Sequence, residues 1–247
     1  MIWLLFWLSN NLIVTTKYTV KADIAKPVKI VQVSDLHGKA FGRHNGRLIA
    51  KISAQNPDLI VITGDIIHKY TNKNRKNALE LVSALSAVYP VIFAAGNHEL
   101  RNIGYRFFKR DLIAAGACVL DDCPRNMFDL TVVGLKCSSL KNDKLFAATP
   151  KGDGYKIALA HMPQFLDRYE MAGYDLVLSG HAHGGQWRIP FTHRGIYSPG
   201  QGLFPKYTEG LHEKGKTKMI ISRGLGNSEF PLRLNNLPEL VVINLEK

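Results

Sequence analysis

The chain has 247 residues, 46% of them hydrophobic and 21% charged, proportions that exclude a disordered or low-complexity polymer and suffice for a substantial core. Lysine and arginine outnumber aspartate and glutamate by 32 to 20, a formal net charge of +12. That charge suits either an anionic partner or simply a basic, soluble surface. Cys118, Cys123 and Cys137 are odd in number and match no zinc spacing; reduced, partly buried thiols are favoured over a Cys118–Cys123 disulfide.

Residues 1–16, MIWLLFWLSNNLIVTT, open with eight apolar or aromatic positions, without a basic leader or a small-residue cleavage site. The run is shorter than the ~20 residues that span a bilayer. Three readings follow: the tail of a longer anchor that starts upstream, an interfacial foot with Trp3 and Trp7 at headgroup level, or a strand packed on the core. The membrane readings together are preferred. Lys17, Lys21, Lys26 and Lys29 come next, placed to touch anionic headgroups or to mark a solvated connecting strand. Residues 1–27 are thus set apart from a body at 28–247 that shows no internal repeat or linker and reads as one domain.

Within that body, Lys29–Val33 reads as a strand, residues 45–55 as a helix with Leu48, Ile49 and Ile52 on one face, and Leu59–Ile62 as a second strand. Residues 74–88 place Ala78, Leu79, Leu81, Val82, Leu85 and Val88 at helical spacing. A third strand at Val91–Ala94 precedes a helix near 105–115. Shorter strands fall near 117–120 and 130–135, then at Lys156–Ala160 and Asp175–Ser179, with a helix opened by Pro163 between the last two. Strands near 218–222 and 239–245 close the chain. The alternation implies an α/β layered core with mixed sheets.

The apolar strands end in polar clusters: Ser34-Asp35-Leu36-His37, Gly64-Asp65, Gly96-Asn97-His98-Glu99, His161, and Gly180-His181-Ala182-His183-Gly184-Gly185-Gln186. Each has a plain explanation, such as an aspartate capping a turn. Five of them, all at strand ends where α/β proteins gather ligands, point jointly to a metal site. Carboxylate, amide oxygen and imidazole without thiolate favour Mn²⁺, Fe²⁺ or Zn²⁺ over a structural zinc. Seven ligands suit two ions that share one carboxylate.

This order of motifs, D-x-H, G-D, G-N-H-[DE], H and G-H-x-H, resembles the calcineurin-like metallophosphoesterase superfamily over residues 28–245, with no motif missing. The extended GHAHGGQ, the Asn10-Asn11 and Val14-Thr15 region and Arg223-Gly224-Leu225-Gly226 are similar to its bacterial YkuE/YaeI-like branch of membrane- or wall-associated enzymes. The resemblance implies a four-layer α/β/β/α sandwich with the di-metal site at the C-terminal ends of its strands. It also implies that Asp35, His37 and His183 bind one ion, Asn97, His161 and His181 the other, and that Asp65 bridges them, with Mn²⁺ ahead of Fe²⁺ or Zn²⁺. His98 would stand beside the phosphate as a catalytic group with Asn97 and Asp65.

The expected activity is hydrolysis of a phosphodiester or pyrophosphate by a hydroxide shared between the cations, with His98 assisting the leaving alkoxide. Glu99 or Asp58 would orient a histidine. For substrate contacts, Arg43, His68, Trp187 and Arg188 are the named candidates. Arg43 and His44 follow one metal-bearing loop, and His68 with Lys69 and Tyr70 another. Residues 184–216, with Phe191, His193, Arg194, Tyr197, Phe204, Lys206 and Tyr207, supply either an aromatic and basic grip or a hairpin that buries its aromatics. The partner expected is a phosphorylated small molecule, lipid or polymer, the location a bacterial membrane surface or else the cytoplasm. Nuclease, phosphomonoesterase and non-catalytic scaffold are the alternatives, the last disfavoured because no ligand is missing.

Overall fold

Successive strand residues point to opposite sheet faces, and here the two faces go to different cores. On the second strand Ile30 enters one core and Val31 another; on the third, Leu59 and Val61 part from Ile60 and Ile62. The continuous apolar runs are thus strands buried on both sides. The computed structural model describes residues 2–149, 152–190, 192, 194–227 and 232–247, with the backbone alone for residues 2–6.

The first half runs α1 (Ile2–Asn11), β1 (Val14–Lys21), β2 (Val28–Val33), α2 (Gly46–Ser53), β3 (Leu59–Ile62), α3 (Asn72–Ser86), β4 (Val91–Ala94), α4 (Asn97–Leu100), α5 (Tyr105–Ala114) and β5 (Cys118–Leu120). The second half runs β6 (Cys123–Met127), β7 (Leu130–Leu135), α6 (Cys137–Leu140), α7 (Asp143–Ala147), β8 (Tyr155–Ala160), α8 (Leu166–Met171) and β9 (Leu176–Ser179). A short ribbon follows, β10 (Tyr197–Ser198) with β11 (Gly202–Leu203), then β12 (Gly210–Lys214), β13 (Thr217–Ile221) and β14 (Glu239–Glu246).

Two six-stranded sheets result, ordered β1-β14-β2-β3-β4-β5 and β12-β13-β9-β8-β7-β6. Both are mixed: β14 runs antiparallel to β2, and β6 and β12 run antiparallel to their neighbours. One core lies between the sheets, joining Ile30, Val61, Ile92, Val132, Leu159, Leu178 and Val241. The outer face of the first sheet packs under α2, α3 and α5 through Ile52, Leu81 and Phe108, and that of the second under α6, α7 and α8 through Leu140, Phe146 and Tyr169. The fold is the expected α/β/β/α sandwich. Gln32 ties the sheets together at their ligand-bearing ends, its Nε2 donating to Thr63 Oγ1 at 2.9 Å and to the Ser179 carbonyl at 2.8 Å.

The opening run is a helix, which corrects the core-strand reading; Val14-Thr15, placed by sequence before the first strand, begins β1 instead. This ten-residue helix, apolar through Leu8, can close here because its C-terminal carbonyls find donors: Lys39 Nζ reaches Asn10 O, and Arg47 Nη2 reaches Asn11 O at 3.2 Å. Trp7 is 54% exposed. Among the described residues no helix is long and apolar enough to cross a membrane. The three cysteines are free thiols.

Candidate metal centre

Asp35 and His37 leave the end of β2, Asp65 that of β3 and Asn97 that of β4, while His161 follows β8 and His181 and His183 follow β9. Both sheets therefore deliver side chains to one edge. The delivering loops are sharply bent. Asp35, His37, Asp65, His181 and His183 all hold left-handed backbone, with φ of 51°, 51°, 51°, 69° and 49°. Such conformations are uncommon away from glycine, cost of order 1 kcal/mol or more each, and cluster where function over-determines the chain.

Two motif glycines are explained by the same crowding. A Cβ on Gly96 would lie 2.2 Å from Asp65 Oδ1, and one on Gly180 would lie 2.0 Å from Ser34 Oγ and 2.2 Å from Asp35 Oδ2. Each glycine leaves room for the carboxylate of a neighbouring loop.

The side chains converge as two triads. In the first, His183 Nε2 lies 3.1 Å from His37 Nε2 and 3.2 Å from Asp35 Oδ1. In the second, Asp65, His161 and His181 bring their ligand atoms within 4.8 Å of one another, with His161 Nε2 3.0 Å from Asp65 Oδ2. Asp65 Oδ2 also lies 3.9 Å from Nε2 of His37 and of His98, so this one oxygen faces both triads. A third trio, His37, His68 and His98, adjoins them.

Neighbouring backbone fixes the ligand atoms. His161 donates Nδ1–H to the Thr63 carbonyl at 2.7 Å, which turns Nε2 toward Asp65. Ser34 Oγ donates to Asp35 Oδ2 at 2.5 Å, and the His181 amide to both Asp35 oxygens at 3.1 Å. Asp65 Oδ1 accepts the His98 amide at 2.8 Å, which turns Oδ2 inward. Leu225 and Gly226 donate their amides to Ser34 O and Asp35 O, so the Arg223–Gly226 stretch clamps the first metal-bearing loop.

The second-sphere expectation is corrected. Glu99 holds backbone, not histidine: it accepts the amides of Asp65, Gly96 and Ile67 at 2.8, 2.9 and 3.1 Å, locking two ligand loops together. Asp58 caps the Lys29 amide at the far end of β2. Sequence reading also missed Arg233. It is fully buried, donates to the carbonyls of Gly226 and Arg223, and stands 3.4 Å from His183 Nδ1. One arginine between Leu232 and Leu234 carries no signal of that role in sequence.

Electrostatics follow from burial. Desolvation holds His37 and His181 down at about 3 and His183 well below its ordinary range, so these imidazoles are neutral and carry lone pairs. Burial also opposes charge on Asp65 and His161, but their mutual attraction wins. The Asp65 carboxyl stays well below the usual carboxylate range, and His161, held by Asp65 and Asp35, rises to about 10. Asp35 is pushed up to about 6, chiefly by burial.

One buried atom of this cluster, Asn97 Oδ1, has no hydrogen-bond partner among the described residues, while His161 Nε2 faces the Asp65 carboxylate. Orphaned buried polar atoms are costly and rare. The oriented amide oxygen, the carboxylates and the neutral imidazoles, with His161 once deprotonated, form a donor set that fits two divalent cations of borderline-to-hard character.

The substrate candidates separate. His68 belongs to the site: its Nδ1 is 3.3 Å from His37 Nδ1, and its carbonyl accepts His98 Nδ1–H at 3.0 Å. Trp187 is 40% exposed and donates Nε1–H to the Leu232 carbonyl. Arg188 is 7% exposed and paired with Glu209 through both terminal nitrogens, so it braces the loop instead of facing the mouth. Arg43 lines an open groove with Leu79, Glu80 and Asp111, against α3 and α5, apart from the histidines. Phe191 and His193 lie outside the described residues.

The sequence profile described as calcineurin-like phosphoesterase matches residues 28–222. The chain belongs to this family. It is 31% identical to the uncharacterized metallophosphoesterase YkuE of Bacillus subtilis, over 97% of this chain and 88% of that protein. It is 30% identical to the phosphodiesterase YaeI of Escherichia coli, over 90% of this chain and 84% of that protein. One solved structure aligns over 79% of this chain and 90% of its own at a TM-score of 0.50 and 11% identity, a likeness of fold alone. This metallophosphoesterase is a metal-dependent phosphoric ester hydrolase, and its aspartate–histidine triads are where the family's divalent ions fit.

Proposed function

We propose that the enzyme cleaves phosphodiester or pyrophosphate bonds in an anionic substrate held at a membrane or wall surface. The observation that carries this reading is Asp65 Oδ2 placed between two histidine triads. Asp35, His37 and His183 would hold one cation, Asn97, His161 and His181 the other, with Asp65 shared; Mn²⁺ suits the mixed donors best. Two such cations supply Lewis acidity toward phosphoryl oxygens and lower the pKa of bound water.

The chain's own residues do the rest. Asp65 Oδ1 receives the His98 amide, which sets the start of α4 against the site. His98 keeps its Nδ1–H on the His68 carbonyl and offers a proton from Nε2 to the leaving alkoxide. The preference for diesters is drawn from the relative named a phosphodiesterase, and the surface location from the net charge of +12 and exposed Trp7.

The test is a metal-reconstituted assay with an aryl phosphomonoester, an aryl phosphodiester and a lipid-linked pyrophosphate, each with Mn²⁺, Fe²⁺ or Zn²⁺. Diester or pyrophosphate turnover should exceed monoester turnover at least tenfold with Mn²⁺. Preference for the monoester would overturn the reading. The same charge favours a nuclease as the second reading, which requires DNA binding that falls steeply with salt.

A further inference from the structure

The loop that follows His183 and the β10–β11 ribbon enclose a cleft of about 190 Å³, lined among the described residues by Gly185, Gln186, Trp187, Ile196, Tyr197 and Leu203. The surface it presents is apolar throughout. Two connections join it to the metal centre. Gly185 lies two residues past His183, a Cα separation of at most about 7 Å. At the ribbon's tip, a Cβ on Gly200 would lie 3.9 Å from His181 Nε2. One short ribbon thus borders the cleft and passes close to His181.

Of the described aromatics of residues 184–216, Tyr207 packs against the core beneath the second sheet, whereas Trp187, Tyr197 and Phe204 are exposed. Leu203 is 69% and Phe204 67% exposed, with Tyr197 and Trp187 beside them, so the ribbon does not bury its apolar side chains. Contiguous exposed apolar surface marks contact with something apolar. A second cavity is lined by the residues next in the chain to two walls of the cleft, Gly195 beside Ile196 and Phe204 beside Leu203, and carries Arg194 and Lys206. A site that would hold phosphate on its cations, an apolar cleft beside it and two basic residues in the adjoining cavity together suit an amphiphile.

We infer that the cleft seats the hydrocarbon chain of an amphiphilic phosphoester, attached a few bonds from the scissile phosphate. This rests on the diester reading above. The volume sets a limit: at roughly 30 Å³ per small group, the cleft holds about six methylenes. Each methylene removed from water strengthens binding by about 0.8 kcal/mol, or roughly fourfold.

The experiment measures kcat/KM of the Mn²⁺-loaded enzyme on p-nitrophenyl alkyl phosphodiesters from methyl to decyl, below their micellar concentrations. A rise of at least about tenfold that levels off near hexyl, and that Leu203→Asn or Tyr197→Ser removes while methyl-ester turnover persists, is expected. A flat series with active enzyme overturns the inference and leaves the diester reading intact. If no diester turns over, the diester reading fails, and calorimetric binding of hexyl against ethyl phosphate decides the inference instead. Hexyl phosphate binding at least about tenfold tighter than ethyl phosphate in the parent, with that difference lost in Leu203→Asn, supports the cleft; no difference in the parent overturns it. A dimer by light scattering that Leu203→Asn dissociates, with chain-length dependence unchanged, would assign the face to a second copy and also overturn it.

Discussion

Gly180→Ala isolates the crowding around Asp35. The new Cβ would lie 2.2 Å from Asp35 Oδ2, whereas ordinary contact begins near 3.4 Å, so 3.4 − 2.2 gives a required shift of 1.2 Å. Asp35 and Ser34 are fully buried and cannot swing into solvent. Moving the carboxylate breaks its bonds to Ser34 Oγ and the His181 amide and takes Oδ1 away from His183. Overpacking of this kind costs about 1–3 kcal/mol, a fall in Tm of roughly 2–12 °C for a chain of this size. A misplacement of ~1 Å costs roughly a hundredfold in turnover. Metal content by plasma mass spectrometry, thermal unfolding and diester hydrolysis are measured together. Gly46→Ala is the control, because a Cβ there meets nothing within 4 Å and the backbone is already helical. If Gly180→Ala kept parental metal content and activity, the steric account of the motif would be refuted.

Other expectations concern protons, metal and surface. His161 carries a proton up to about pH 10 in the metal-free site and must lose it before Nε2 can take a cation. Metal binding at pH 8 should therefore release about one proton, and affinity should climb about tenfold per pH unit between 7 and 9; calorimetry in buffers of different ionisation enthalpy reads both, and proton uptake would contradict the assignment. Chelation should lower Tm by roughly 5–10 °C, with recovery on adding Mn²⁺ at about a hundred times its Kd; an unchanged Tm would speak against metal binding by the folded site. His98→Ala should slow diester turnover by about 10²–10³-fold with metal content unchanged, and parental rates would remove His98 from the mechanism. Arg43→Ala, on the α3–α5 groove, should change turnover by less than about twofold.

The ligand set was legible because it follows strands buried on both faces. Leu59–Ile62 and Val91–Ala94 are unbroken apolar runs, so the polar residues after them stand out. Edge strands lack that contrast. In β6, Cys-Pro-Arg-Asn-Met is mostly exposed and carries Pro124, which edge position permits, and β12 is equally polar. Sequence reading passed over both. The supports of the site were illegible for a different reason: Glu99 serves amides 32 and 34 residues away, and Arg233 stands beside a histidine 50 residues away. Arg188 looked like a substrate contact because its partner Glu209, 21 residues on, could not be read from spacing.

The last turn of the helix at the start of the chain is fastened to the ligand-bearing loops. Lys39, two residues beyond His37, grips Asn10 O; Asn10 Oδ1 accepts from Asn227 Nδ2 and from the backbone amide of Arg233, whose guanidinium abuts His183. A pull on α1 therefore has two routes inward, one ending at each imidazole of the first triad. Asn10 therefore joins this helix to both loops that carry the imidazoles of the first triad, so replacing Asn10 withdraws a support from His37 and His183 together.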